Sequence, residues 1–275
     1  MKDAILKQFR KSVKPLLNIQ GIGRFPFVKT LYGLVIELFN PITINGSKMY
    51  ISRKDGLGLL ITPEHEQFEK NLIETAIKPG DSIMDLGAHI GYYTMIMAKK
   101  AGKEGRVYAF EPDPNNFKLL EKNIKANNYT NTTAIRKAVS DMAGVTKLYL
   151  RGDGVSRRLW DNEGNDYVEI EMTDLDSVFK DKEFNFIKMD VEGCEGRAIK
   201  GMINILKRSK PISLVMEFRP ADIKEMGSDP LEALKILSDL GFKICNIEGG
   251  ELKEVHDLKT ICDDSVKTNL YCIKR

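Results

Sequence analysis

SIMDLGAHIGYYT, residues 82 to 94, runs from an apolar strand through an acid into a glycine-containing turn, and a helical pattern begins after Gly91. Strand, turn and helix in that order open a Rossmann-like sheet, in which a nucleoside cofactor lies over the turn at the strand's carboxyl end. The residues of the turn select among nucleosides.

A dinucleotide site must admit a pyrophosphate here, and the Asp85 carboxylate, two residues before Gly87, repels one. S-adenosylmethionine presents an ammonium and a sulfonium instead, which an acid at the strand end attracts. The missing Cβ of Gly87 lets the backbone approach. Gly87 and Gly91 flank Ala88, His89 and Ile90, so the spacing also departs from GxGxxG. A second acid, Glu111, ends the next strand-like run, RVYAFE, where a carboxylate can accept from both ribose hydroxyls. Each feature alone has a plainer reading: glycine turns open many βα units, and Glu111 could serve the helix that starts at Asp113-Pro114. Together they point to S-adenosylmethionine. An NAD-dependent oxidoreductase shares the fold and Glu111, but Asp85 opposes it and no tyrosine-lysine proton relay is evident. A non-catalytic, cofactor-sensing module would keep both acids, and turnover distinguishes it.

The chain's 275 residues suffice for one large α/β domain with an extension. With 42% hydrophobic and 29% charged residues and a net charge of +3, it carries no nucleic-acid footprint. Cys194, Cys245, Cys262 and Cys272 form no CxxC pair, and nothing resembles a signal peptide, so free thiols in a reducing cytoplasm are expected.

Before the turn, Ile5, Phe9, Val13, Leu16 and Leu17 recur at helical spacing among Lys2, Lys7, Arg10, Lys11 and Lys14. This basic amphipathic helix is expected to pack on its own domain rather than to anchor stably in a membrane. The apolar run from Leu31 to Phe39 is too short to span a bilayer and reads as buried helix or strand. Residues 1 to 48 thus form an N-terminal helical extension to a domain covering 49 to 275. ITING, KMYIS and GLGLLIT suggest short strands, and a helix is expected from Pro63 to Ile77, stopped by Pro79-Gly80.

After the turn, strands are expected at Arg106–Phe110, Thr132–Val139, Phe186–Met189 and ISLVMEF (212 to 218), with FKICNI and TNLYCIK as the last two. Asp113 should cap a helix carrying Pro114 at its first position, and another helix starts at Ser228-Asp229-Pro230. Adenine is expected near the end of the third strand, around Ala138 to Asp141. A hairpin insertion near 146 to 172 pairs KLYLR with YVEIEM across a loop holding Arg157, Arg158 and Trp160, which reads equally as a substrate lid or a solvated tip.

DLGAHIGYYT (85 to 94), VYAFEPDPNNFKLLEKNI (107 to 124), FIKMDVEGCEGRAIKG (186 to 201) and VMEF (215 to 218) resemble the FkbM family of S-adenosylmethionine-dependent methyltransferases. The resemblance covers about Met49 to Phe218 and extends more loosely to the end. It implies a class I methyltransferase fold: a seven-stranded, mostly parallel sheet with helices on both faces and an antiparallel, inserted last strand. The family's turn is usually GANxG, and this chain has His89 in place of the asparagine. The implied cofactor-binding set is Asp85, Gly87, Ala88, His89, Gly91, Tyr92, Thr94, Glu111, Pro112, Ala138, Val139 and Asp190. The resemblance also implies O-methylation of sugars or natural-product hydroxyls, hence a small-molecule or glycan acceptor.

In a doubly wound sheet the first and fourth strands flank the switch point, so Asp190 meets the cofactor turn. A carboxylate there can take the acceptor's proton, an effect worth about 10²- to 10⁴-fold. Asp190 is the first candidate, Glu192 the second and Glu195 the third. Asp190 could equally orient the methionine ammonium, and Glu195 could serve the first turn of its helix. No metal-ligand set assembles from spacing, His65 and His256 read as surface residues, and the oligomeric state is unspecified.

Overall fold

The structure, a computed structural model, describes residues 2–17, 26–52, 58–63, 65–150, 157–158 and 167–275. Two helices, α1 (Lys2–Leu17) and α2 (Pro26–Phe39), lead into a short antiparallel hairpin, β1 (Ile42–Ile44) and β2 (Ser47–Met49). The 48/49 division falls inside β2. Helix α3 (Gln67–Ala76) starts later than the pattern from Pro63 suggested, and Leu59 to Ile61 form a turn rather than a third strand.

From there strands and helices alternate: β3 (Ser82–Leu86), α4 (Tyr92–Ala101), β4 (Arg106–Phe110), α5 (Pro114–Ala126) and β5 (Thr132–Ile135). Two short strands and a hairpin arm, β6 (Ala138–Val139), β7 (Gly144–Leu150) and β8 (Arg157–Arg158), precede β9 (Tyr167–Thr173) and α6 (Leu175–Val178). The main sheet resumes with β10 (Phe186–Met189), α7 (Glu195–Lys200), α8 (Ile203–Arg208) and β11 (Ile212–Phe218). It closes with α9 (Pro220–Glu225), α10 (Pro230–Asp239), β12 (Lys243–Glu248), β13 (Glu251–Glu254) and β14 (Thr268–Lys274).

The main sheet has the order β13-β12-β14-β11-β10-β3-β4-β5. Strands β5, β4, β3, β10 and β11 are parallel, and β14 lies antiparallel between β11 and β12. These are the seven strands expected of a class I methyltransferase fold. The eighth, β13, is a hairpin return that adds to the β12 edge. The expected third strand divides at Arg136-Lys137: β5 stays in the main sheet, and β6 joins β9, β7 and β8 in a second, four-stranded sheet. In that sheet Gly144–Tyr149 pairs with Met172–Tyr167, which is the expected hairpin. Arg157 and Arg158 pair with Leu150 and Tyr149, while Trp160 lies outside the described residues.

Strand alternation divides the core. Met84, Leu86, Ile187, Met189, Leu214 and Met216 face α6, α7, α8 and α10, with Phe179 and Phe184 filling the space between. Ile83, Val107, Phe186 and Val215 face the other way, against α3, α4 and the extension. Helices therefore cover both faces, and the crossover changes side between β3 and β10, which is the switch point. Asp113 caps α5 by accepting from the Asn115 and Asn116 amides (2.9 and 2.8 Å), with Pro114 supplying the first helical position.

The extension is stitched to this frame by side-chain amides. Asn123 Oδ1 accepts from the Tyr50 amide (2.6 Å), while its Nδ2 donates to the carbonyls of Tyr50 (3.1 Å) and Ile90 (2.8 Å). One helical turn on, Asn127 makes the same pair of bonds with Lys48, both at 2.7 Å. Leu6 is buried, Phe9 stacks on Phe39, and Arg10 Nε donates to the Leu60 carbonyl at 2.6 Å, so α1 packs on its own domain. The run from Leu31 to Phe39 is half of what its composition suggested: Ile36 and Phe39 are buried, but Leu31, Leu34 and Leu38 are exposed because α2 meets the domain with one face only.

Candidate active site

The glycines of the turn serve the frame first. Gly87 has φ +83°, and a Cβ on it would lie 1.8 Å from the Asp190 carbonyl oxygen; one on Gly91, φ +95°, would meet the Leu120 side chain at 2.8 Å. Between them the Gly87 and Ala88 amides donate to the Phe110 carbonyl, and His89 takes a left-handed φ of 51°. The turn is thereby pressed against the ends of both neighbouring strands, β4 and β10.

Around it stand six carboxylates and two cations. Asp85 is 1% exposed and accepts from Thr94 Oγ1 at 2.5 Å; burial pushes its carboxyl up to about 6, against the pull of Thr94 and Lys188. Glu111 is buried, with Oε2 accepting from the His89 amide (2.7 Å) and Oε1 from the Asp113 amide (3.0 Å); burial pushes it up to about 7. It thus ties the cofactor turn to the start of α5.

Lys188, which sequence reasoning passed over, stands beside Asp85 in the β10–β3 register and is buried. Its Nζ donates to Asp190 Oδ2 at 2.9 Å and lies 5.2 Å from the centre of the Tyr93 ring, whose hydroxyl donates to Glu66 at 2.6 Å. Burial opposes the charge of Lys188, but Asp190 and Asp85 outweigh it and keep the ammonium protonated. Burial likewise opposes the charge of Asp190, and Lys188, then Arg219, override it and hold its carboxyl below the usual range. The Asp190 side chain remains 37% exposed.

Glu217 leaves the neighbouring strand on the same face, one residue past the Met189–Met216 pair just as Asp190 does. Arg219 Nη2 contacts Glu217 Oε1 at 2.7 Å, while burial and then the charge of Asp190 push Glu217 up to about 8. Among the described residues, Asp190 Oδ1 and Glu217 Oε2 carry no hydrogen bond, so each carboxylate has one oxygen held by a cation and one oxygen available.

The other expected residues divide. Glu192 occupies the turn after β10 at φ 52°, beside Asp190. Glu195 turns inward: it is buried, and its Oε1 accepts from the Val191 and Gly193 amides at 3.1 and 3.4 Å, while burial pushes it up to about 7. Tyr92 is buried and donates its hydroxyl to the His65 carbonyl at 2.9 Å. Thr94 is committed to Asp85. Pro112 follows Glu111 and, with Pro114, Arg136 and Ile170, lines a cavity of about 230 Å³ between the main sheet and the hairpin. Ala138 and Val139 are buried in β6, beside Thr173. Cys194 is buried with its thiol pushed up to about 12 by burial, which is the chemistry of a small apolar side chain. His65 packs edge-on against Tyr92, and His256 is exposed.

This arrangement fits a cationic nucleoside. Acids end β3 and β4 and a third follows β10: Asp190 is held ionised, while burial keeps Asp85 and Glu111 nearer their neutral forms, so that a cation brought to the turn is what favours their charge. No basic cluster for a pyrophosphate stands at the turn among the described residues, and no group of three His, Cys, Asp or Glu could hold a metal ion there.

The methyltransferase FkbM domain model matches residues 85–244, more than half of the chain. Hexuronic acid methyltransferase AglP of Haloferax volcanii is 29% identical over 174 residues, covering 61% of this chain and 65% of AglP. A protein-L-isoaspartate O-methyltransferase of Methanococcus aeolicus is 30% identical over 82 residues, 28% of this chain and 38% of that protein. The chain thus spans less than two thirds of the length of these curated relatives. Among solved structures, methyltransferase FkbM from Methylobacillus flagellatus superposes with a TM-score of 0.46 and 19% identity, covering 78% of this chain and 54% of that one.

Proposed function

The chain belongs to the FkbM methyltransferase family, and from that premise we propose that it methylates a hydroxyl group of a sugar or natural-product acceptor, with S-adenosylmethionine as methyl donor. The observation that carries this reading is the end of β10: Asp190, kept ionised by Lys188 at 2.9 Å, with one oxygen available where the strand meets the cofactor turn.

Bound S-adenosylmethionine supplies an electrophilic methyl group on a sulfonium. Glu111 would take the ribose hydroxyls, and Asp85 would offset the cofactor's positive charge. Ala138, Val139 and Pro112 would flank the adenine. Holding the acceptor oxygen in line is worth about 7 to 11 kcal/mol of barrier. The acceptor hydroxyl would donate to Asp190 Oδ1, and the Asp190–Glu217 pair would take its proton as the oxygen gains the methyl group and the methyl–sulfur bond breaks to leave S-adenosylhomocysteine. Glu192 flanks this position; Glu195, spent on its own turn, serves the frame.

Similarity to AglP makes hexuronic acid glycosides the first acceptors to assay, with neutral hexosides beside them. The expected product is an alkali-stable methyl ether, accompanied by an equal amount of S-adenosylhomocysteine. An alkali-labile methyl ester as sole product would overturn the hydroxyl assignment and favour carboxyl methylation.

A further inference from the structure

Helix α2 carries apolar residues on two faces. Ile36 and Phe39 enter the core, whereas Leu31, Leu34 and Leu38 are 58%, 54% and 71% exposed. At 100° per residue these three leucines fall within an arc of about 60° on the outer side of the helix, with Thr30 and Glu37 at one edge. Three large apolar side chains aligned on one exposed face form a patch rather than scattered surface residues.

Charge distribution indicates what covers it. The first 30 residues hold seven of the chain's 42 Lys and Arg but only one of its 39 acids, so the remaining residues are net negative although the whole is +3. Lys7 and Lys11 are exposed on α1, which is fixed to the same core through Leu6, Phe9 and Arg10. A second copy placed on the stripe would bring two strongly basic segments together and work against their repulsion. An anionic surface is attracted by the same charge and accepts the leucines among its acyl chains.

We propose that the outer face of α2, with the basic flank of α1, docks this protein reversibly on the surface of an anionic lipid bilayer. At 14 residues α2 spans about 21 Å, too short to cross a hydrocarbon core of about 30 Å, so the geometry is that of a helix lying in the interface. Docking adds to, and does not replace, the packing of α1 on its own domain. It would restrict the enzyme to acceptors presented near a membrane.

The test uses the full chain with vesicles of phosphatidylcholine alone or mixed with phosphatidylglycerol. Co-sedimentation is expected with the mixed vesicles only, and added salt should weaken it as screening shortens. The Leu31→Ser/Leu34→Ser/Leu38→Ser variant, whose changes lie on solvent-facing positions, should lose about tenfold or more of the partitioning while binding S-adenosylhomocysteine as before. Lys7→Glu/Lys11→Glu should lower it as well. Absence of wild-type sedimentation, or equal sedimentation of the leucine variant, overturns the proposal. So does a wild-type dimer in sedimentation equilibrium that the leucine variant converts to monomer without any vesicle binding, which would make the stripe a self-association face.

Discussion

The carbonyl oxygen of Asp190 occupies the space that a side chain on Gly87 would need, 1.8 Å from where its Cβ would sit. The turn after β3 and the exit of β10 therefore approach as bare backbone. Gly87→Ala must either open that contact or abandon φ +83°, and it should destabilise the protein by about 2 to 4 kcal/mol. Cofactor affinity should fall with it. Gly102→Ala, at φ +67° and ψ −173° with no atom within 4 Å, carries the backbone strain alone, about 1 to 3 kcal/mol. Denaturant unfolding of the two variants separates crowding from strain, and equal losses would remove the close approach as a cause.

Glu195 tests scaffold against catalysis. Its carboxylate accepts from the Val191 and Gly193 amides in a buried turn, so Glu195→Ala leaves both donors without an acceptor and should cost about 1 to 3 kcal/mol. Glu195→Gln keeps an acceptor oxygen and should fold and turn over methyl groups nearly as wild type does. A large loss of turnover in the glutamine variant with unchanged stability would return Glu195 to the chemistry.

Asp190 and Glu217 should behave as a coupled pair. Asp190→Asn is expected to reduce methyl transfer about 10²-fold or more while cofactor binding changes far less. With the Asp190 charge gone, Glu217, now raised to about 8, should titrate at lower pH. Carbon-13 carboxyl titration of both proteins reads that displacement directly. An unmoved Glu217 would show that the two groups do not share a field.

Cofactor binding should release protons. Burial raises Glu111 to about 7 and Asp85 to about 6, so at about pH 6.5 the cofactor-free protein holds Glu111 mostly, and Asp85 in smaller part, in the protonated form. Its stability from Glu111 is complete below the ordinary value of 4.5 and is lost as the pH rises through about 7. On the proposed binding mode, ribose hydroxyls donating to Glu111 and the cofactor's cationic groups near Asp85 would favour ionisation. Calorimetry at pH 6.5 in buffers of different ionisation enthalpy should show the release, and Glu111→Gln should diminish it while weakening affinity.

What the sequence disclosed was mainly local. The Asp113-Pro114 cap, the bounds of β10 and the strand-turn-helix around Gly87 depend on neighbours within a few residues, and periodicity or capping chemistry reports them. Lys188 did not announce itself because a lone lysine in a short strand reads as surface; it becomes a site residue only when the β10–β3 register sets it beside Asp85. Glu217 acquires its partner in the same way, through the pairing of β10 with β11. The outward leucines of α2 were equally hidden, since apolar spacing says which residues need cover and not how many faces receive it. The division of the expected third strand at Arg136-Lys137 depends on the second sheet, which recruits β6 through β9.

Asn123 has a consequence for dynamics. A single amide group grips the Tyr50 backbone at both its N–H and its carbonyl and also holds the Ile90 carbonyl within the cofactor turn. Opening at residue 50 and distortion at residue 90 therefore draw on the same side chain, and the two motions are thermodynamically linked. Ligand occupancy of the turn, by ordering Ile90, should slow amide hydrogen exchange at Tyr50, 40 positions away along the chain. The segment before the sheet thus becomes a readout of what the sheet has bound.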